Sequence, residues 1–402
     1  MHQKDGDPAD RITISTRDHD ELRSRLEAWL AGRPEVGPQA RIDRFERPEA
    51  NGMSSETLLF DASWDAPDVP ARPPEVPGSQ RPAAAPSAST SGRVERRFVA
   101  RLAPADDAVP VFPHYDLGRQ VQVMRLVGER SDAPVPTVHW YEPDEAAVGC
   151  EFFVMDHVDG QVPPDVMPYP FDGSWVQGAT AEQRARLQAR SVDVLAAIHG
   201  VVATADEVAF LQLTGADAGG PAASPLRRHL ATERRYYDWV RGDLRFPVVE
   251  QAFDWLEARW PTHAEEAPPV VCWGDSRIGN ILYEDFEPRA VLDWEMATFG
   301  PRELDLGWFI FLHRFLHDIA VDYGMDGLPD FIDQDQVAAQ YAERSGHEPR
   351  DLDWFVTYAA TRHGSIMART MLRRVQFGEA TMPDDPEELI LHRRTIASLI
   401  AG

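Results

Sequence analysis

The hydrophobic pattern of this chain changes period once, near Gly160, and that change limits what it can fold into. Before it, apolar residues alternate. Thr57 to Trp64 (TLLFDASW) and Arg96 to Leu102 (RRFVARL) read as strands, the second with Phe98, Ala100 and Leu102 on one face and Val99 and Arg101 on the other. Further strands are expected over 137–141 and 151–155, and helices over 18–31, opened by Asp18 and Glu21, and over 115–130. Beyond it helical spacing dominates, over about 182–199, 225–241, 246–259, 303–320, 334–344 and 352–374, and only 281–283 and 290–292 look extended. The pattern predicts an α+β chain of two lobes. Residues 1–155 form a small antiparallel sheet with one main helix, and residues 156–402 a larger helical lobe, joined by one crossing at Met155-Asp156-His157-Val158.

Residues 65–93 interrupt the first hairpin with seven prolines and almost no large apolar side chain, a composition that cannot offset ordering entropy; a flexible insertion is expected there. Elsewhere 43% apolar residues and eleven Trp suffice for a large core. The formal charge of -26 argues against nucleic acid or an anionic membrane as partner. No apolar run approaches a spanning helix, and the polar, mixed-charge start lacks an export signal, so a cytoplasmic protein is expected. Cys150 and Cys272 form neither a disulfide framework nor a thiolate metal site. Lys4 is the only lysine, which excludes a P-loop and a Schiff-base lysine; any side-chain cation that holds phosphate is an arginine.

Chemistry concentrates in one segment. Trp273-Gly274-Asp275-Ser276-Arg277-Ile278-Gly279-Asn280 ends on one of only two asparagines in the chain, and Asp293 follows thirteen positions later in Leu292-Asp293-Trp294-Glu295. An Asp, a cation two residues on, an Asn five residues on and a second Asp after a short hairpin are the parts phosphoryl transfer from a metal nucleotide requires. Asp275 is the candidate base for an acceptor hydroxyl, Arg277 can reach the transferring phosphate, and Asn280 and Asp293 offer oxygen ligands of the kind Mg2+ prefers.

The segment VVCWGDSRIGNILYEDFEPRAVLDWEMATFGPRELDLGW resembles the catalytic and metal-binding motifs of the aminoglycoside phosphotransferase-like kinases, most closely the branch associated with acyl-CoA dehydrogenase-type proteins. The likeness implies a two-lobed protein-kinase-like fold, ATP and Mg2+ as cofactors, and phosphorylation of a hydroxyl on a small molecule. It assigns the base to Asp275, the neighbouring cation to Arg277, the metal ligands to Asn280 and Asp293, and a brace for the catalytic loop to Asp305. In the first lobe it implies a loop over the phosphates around Asn51, Gly52 and Ser54, phosphate binding by Arg101 with Gln120 as its helix partner, Val99 against adenine, and a hinge at Met155, Asp156 and His157. Arg101, Gln120 and Trp273 depart from the wider kinase pattern. A catalytically silent nucleotide-binding scaffold and an aminoglycoside-modifying enzyme therefore stay open as alternatives, and a hydroxyacyl thioester is one possible acceptor. His313 and His317 have a zinc-like spacing without a visible third ligand; Arg362, His363 and Arg369 could meet an anionic substrate group or surface carboxylates.

Overall fold

The computed structural model describes residues 17–48, 55–65, 92–104, 109–165, 167–213 and 223–402. Their contacts divide into two compact units, one within Arg11–Pro110 and Thr137–His157, the other within Val111–Pro136 and Val158–Gly402.

Among its described residues the first unit is a five-stranded antiparallel sheet with one helix. Its strands are β1 (Arg41–Glu46), β2 (Glu56–Asp65), β3 (Arg93–Leu102), β4 (Val138–Glu142) and β5 (Phe152–Asp156), in the order β1-β2-β3-β5-β4. β2 and β3 pair without a break from Glu56↔Leu102 to Asp65↔Arg93, so the expected hairpin forms; residues 66–91 of its connection lie outside the described residues. The helix α1 (His19–Ala31) starts where Asp18 accepts the N–H groups of Asp20 and Glu21, and it buries Leu22, Leu26, Trp29 and Leu30. These pack with Leu58, Phe60, Phe98, Ala100, Phe152 and Val154, the inward set of each strand. The period-2 rule sends Val99 and Arg101 to the opposite face, where both are half-buried. β1 was not expected from its sequence. RIDRFE carries two large apolar residues, Ile42 and Phe45, and an irregularity between Ile42 and Arg44 removes the alternation.

The second unit holds α2 (Leu117–Arg130), α3 (Ala181–His199), α4 (Pro225–Arg241), α5 (Pro247–Ala258), α6 (Glu303–Asp322), α7 (Gln334–Ser345), α8 (Leu352–Gln376) and α9 (Arg393–Ala401). By its contacts α2 belongs here, although the division at residue 155 groups it with the sheet. Arg119 on α2 donates to the carbonyl of Ala297 at 2.7 Å. Two short antiparallel pairs carry the irregular segments: the hairpin of β7 (Ile281–Glu284) with β8 (Glu287–Val291), as expected, and, bracketing it in the chain, β6 (Val270–Cys272) with β9 (Thr298–Gly300), which corrects the expectation of a single extended pair. Three residues are too few to display a period, and Pro268-Pro269 before β6 obscures it further. α6 and α8 approach closely at Gly307, where a Cβ would come within 2.6 Å of the Phe355 backbone. That approach brings Asp305, Trp308 and Arg362 to residues 273–275. No helix among the described residues is long and apolar enough to cross a membrane.

Candidate active site

Residues 273–280 link β6 to β7 and have little regular structure of their own, so their shape depends on outside hydrogen bonds. Asp305, fully buried on α6, supplies them. Its carboxylate accepts the backbone N–H of Trp273 at 2.7 Å and of Gly274 at 2.8 Å, and its carbonyl accepts the Ser276 hydroxyl at 2.8 Å. His199 Nε2 lies 3.0 Å from the same carboxylate, with its Nδ1 2.7 Å from the Tyr341 hydroxyl. A buried carboxylate needs such donors, and backbone N–H groups satisfy it while fixing the loop. Gly274 sits at φ +92°, and a Cβ there would lie 2.0 Å from the Met296 carbonyl oxygen; only glycine permits that approach.

Downstream of this anchor the side chains converge on Asp275. Asn280 Nδ2 donates to Asp275 Oδ2 at 2.7 Å and to its carbonyl at 3.1 Å, Arg277 Nε donates to Oδ2 at 3.3 Å, and Trp308 Nε1 donates to Oδ1 at 2.8 Å. Arg277 also pairs with Asp165. Burial works against the charge on Arg277, but the carboxylates of Asp275, Asp165 and Asp293 outweigh it and hold the guanidinium above its ordinary range. The cation is therefore fixed among three acids.

Asp293 reaches this group through the backbone. The Trp273 indole N–H donates to the carbonyls of Leu292 at 2.9 Å and Asp293 at 3.2 Å, while Leu292 N–H donates to the Asn280 carbonyl at 2.8 Å. Asp293 itself adopts φ +60°, a left-handed conformation that Asp tolerates better than most side chains. Trp273 and Asn280 thus tie the two motifs together. Because the Asn280 amide nitrogen is directed to a carboxylate and a carbonyl, its Oδ1 is the acceptor end of the side chain; this oxygen and the Asp293 carboxylate are donors of the kind Mg2+ prefers and could hold it.

The sheet unit holds the remaining candidates that fall on described residues, apart from Gln120, which is buried on α2. Val99 pairs with Met155, and Arg101 with Thr57 and Phe153; Arg101 Nη1 donates to the Thr57 hydroxyl at 3.3 Å. Asp156 N–H donates to the Thr137 carbonyl at 3.0 Å and His157 N–H to the Arg97 carbonyl at 3.2 Å, so both are engaged in the sheet. Burial pushes the Asp156 carboxyl up, but its 2.6 Å bond to His139 prevails and lowers it. Asn51, Gly52 and Ser54 lie outside the described residues.

Two contributors were invisible in the sequence. Asp165 stands in a Pro-rich loop far along the chain from Arg277, and Trp308 reads simply as an apolar helix residue. Arg362, considered for substrate binding, is committed internally: it pairs with Glu233 at 2.9 Å, donates to the Gly274 carbonyl at 3.4 Å and lies 5.0 Å above the Trp308 ring. The helical His pair is occupied too. His313 contacts the Tyr169 hydroxyl at 2.8 Å and the Leu328 carbonyl at 3.0 Å, and burial lowers it to about 3, while His317 accepts the Leu328 N–H at 3.0 Å.

Known proteins resemble this chain in sequence and in fold. The chain is 22% identical over 384 residues to a probable acyl-CoA dehydrogenase, IBR3, of Arabidopsis thaliana, covering 91% of this chain and 40% of that protein. It is 30% identical over 178 residues to human acyl-CoA dehydrogenase family member 11, covering 44% of this chain and 20% of that protein. The chain thus spans well under half the length of these relatives. Among solved structures, a putative aminoglycoside phosphotransferase from Ralstonia eutropha superposes with a TM-score of 0.59 at 20% identity, covering 95% of this chain and 97% of that one. The aminoglycoside phosphotransferase APH(4)-Ia, solved as a thermostable mutant with ADP and hygromycin B, gives 0.52 at 16% identity, covering 95% and 99%. These likenesses show a protein-kinase-like fold. The profile described as the phosphotransferase enzyme family matches residues 88–349, which include the whole of the catalytic segment, and the chain belongs to that family.

Proposed function

We propose that this protein transfers the γ-phosphoryl group of ATP to a hydroxyl of a small molecule, with Mg2+ as the metal. The observation that carries the reading is the convergence on Asp275. Its carboxylate is oriented by Asn280 and Trp308, it stands beside the Arg277 cation, and Arg277 in turn feels the charge of Asp293.

In this reading Asp275 orients the acceptor hydroxyl and takes its proton as the oxygen attacks the γ-phosphorus and the bond from that phosphorus to the bridging oxygen breaks, with ADP as the leaving group. Arg277 neutralises charge on the transferring phosphoryl oxygens. Asn280 Oδ1 and the Asp293 carboxylate would hold Mg2+, which when bound screens the charge of the phosphate oxygens. From the sheet, Arg101 would bind phosphate, and Val99 and Met155 would line the adenine side. The acyl-CoA dehydrogenase names of the relatives favour a hydroxyacyl thioester or a related metabolite as acceptor.

Asp275→Ala tests the proposal. Turnover with ATP and a panel of candidate alcohols should fall about 10²- to 10⁴-fold, the usual worth of a positioned base. A variant that turns over like the parent would remove Asp275 from the mechanism, and a parent that binds Mg-ATP but phosphorylates nothing would favour a silent scaffold.

A further inference from the structure

We propose that Trp308, backed by Arg362, is a positioning residue that sets the orientation of the Asp275 carboxylate. This inference rests on the reading of Asp275 as base.

The Asp275 carboxylate is held from two sides. On Oδ2 it accepts from Asn280 at 2.7 Å and Arg277 at 3.3 Å, and on Oδ1, among the described residues, it accepts only the Trp308 indole N–H, at 2.8 Å. Asn280 and Arg277 both have other work in the proposed reaction. Trp308 has none: an indole N–H can only donate, does not titrate, and here comes from a nearly fully buried side chain on a helix. It is therefore a rigid stop against rotation of the carboxylate. The Arg362 guanidinium lies 5.0 Å above the Trp308 ring, where a cation is attracted by the ring face and draws electron density from it, which strengthens the N–H as a donor. Arg362 is itself fixed by Glu233 at 2.9 Å, and its 3.4 Å bond to the Gly274 carbonyl links it to the residue before Asp275. Orientation of a base matters because displacement by a fraction of the attack distance costs rate steeply.

The experiment is a coupled pair of substitutions. Trp308→Phe keeps the ring and removes the donor. In the full-length protein, kcat should fall about 10- to 100-fold while KM for Mg-ATP and the melting temperature stay near parental values, and in the Asp275→Ala background the same change should cost nothing further. Replacement of Trp308 by β-(3-benzothienyl)alanine, which keeps the bicycle and exchanges N–H for sulfur, should repeat the result if Phe packs poorly. Parental kcat in both single variants, or an equal loss with and without the Asp275 carboxylate, would overturn the assignment to Trp308. An Asp275→Ala protein with parental turnover would instead overturn the reading on which it rests.

Discussion

In the sheet unit Phe60, Phe98 and Phe152 are buried against α1 by a pattern that repeats every second residue, whereas around Asp275 the loop is shaped by Asp305, His199, Trp308 and Arg362, drawn from three helices and 30 to 87 residues away from it. The first arrangement is apolar and tolerant, since side chains of similar volume can replace one another. The second is polar and directional, so each member leaves an unsatisfied partner when it is lost. A phosphoryl-transfer site needs atoms held in fixed directions, and hydrogen bonds supply direction where apolar contact does not.

The contrast can be tested by removing one brace from each unit. Asp305→Ala strands the N–H groups of Trp273 and Gly274 in the interior together with His199, and should lower stability by about 3–5 kcal/mol and abolish turnover; thermal melts and kinetics check both. An Asp305→Ala protein that melts and turns over normally would break the comparison.

Acid should separate the units next. His229, His313, His363 and His392, all in the helical unit, are kept neutral by burial, with His392 lowered from 6.5 to about 4. The unfolded chain then binds more protons than the folded one, so this stability is complete above pH 6.5 and drains away as pH falls towards 4. His392 alone accounts for about 3 kcal/mol of it. His392→Asn should flatten the acid limb of a stability-against-pH curve, and an unchanged limb would deny the linkage.

Smaller effects sharpen the picture. Asn280→Ala should weaken Mg-ATP binding at least about tenfold, near 1.4 kcal/mol by calorimetry, through loss of the proposed Oδ1 ligand. Trp29→Phe, which deletes the 2.8 Å bond from α1 to Glu142 on β4, should cost about 1 kcal/mol of sheet stability in chemical denaturation and leave turnover alone.

Much of the frame was legible because its signals are local. α4 and the β2–β3 hairpin follow from spacing and end signals within a few residues, and D-x-R-x-x-N with a later Asp singled out residues 275–293 as the candidate site without any structure. β1, with a register shift, and β6–β9, three residues per strand, were not legible, since neither is long or regular enough to show a period. Trp308 and Asp165 were missed for a different reason: nothing near them in the chain distinguishes an indole that caps a carboxylate from one that fills a core.

By itself, then, the sequence determined the helices, the main hairpins and the types of residue available for chemistry, because periodicity and side-chain identity act over a few positions. Tertiary structure alone decided which of those side chains meet. The Asp305 brace, the Trp273 link to Asp293 and the Trp308 bond to Asp275 depend on how α6 packs against α8 and the catalytic loop, contacts between residues too far apart in the chain for any local pattern to encode.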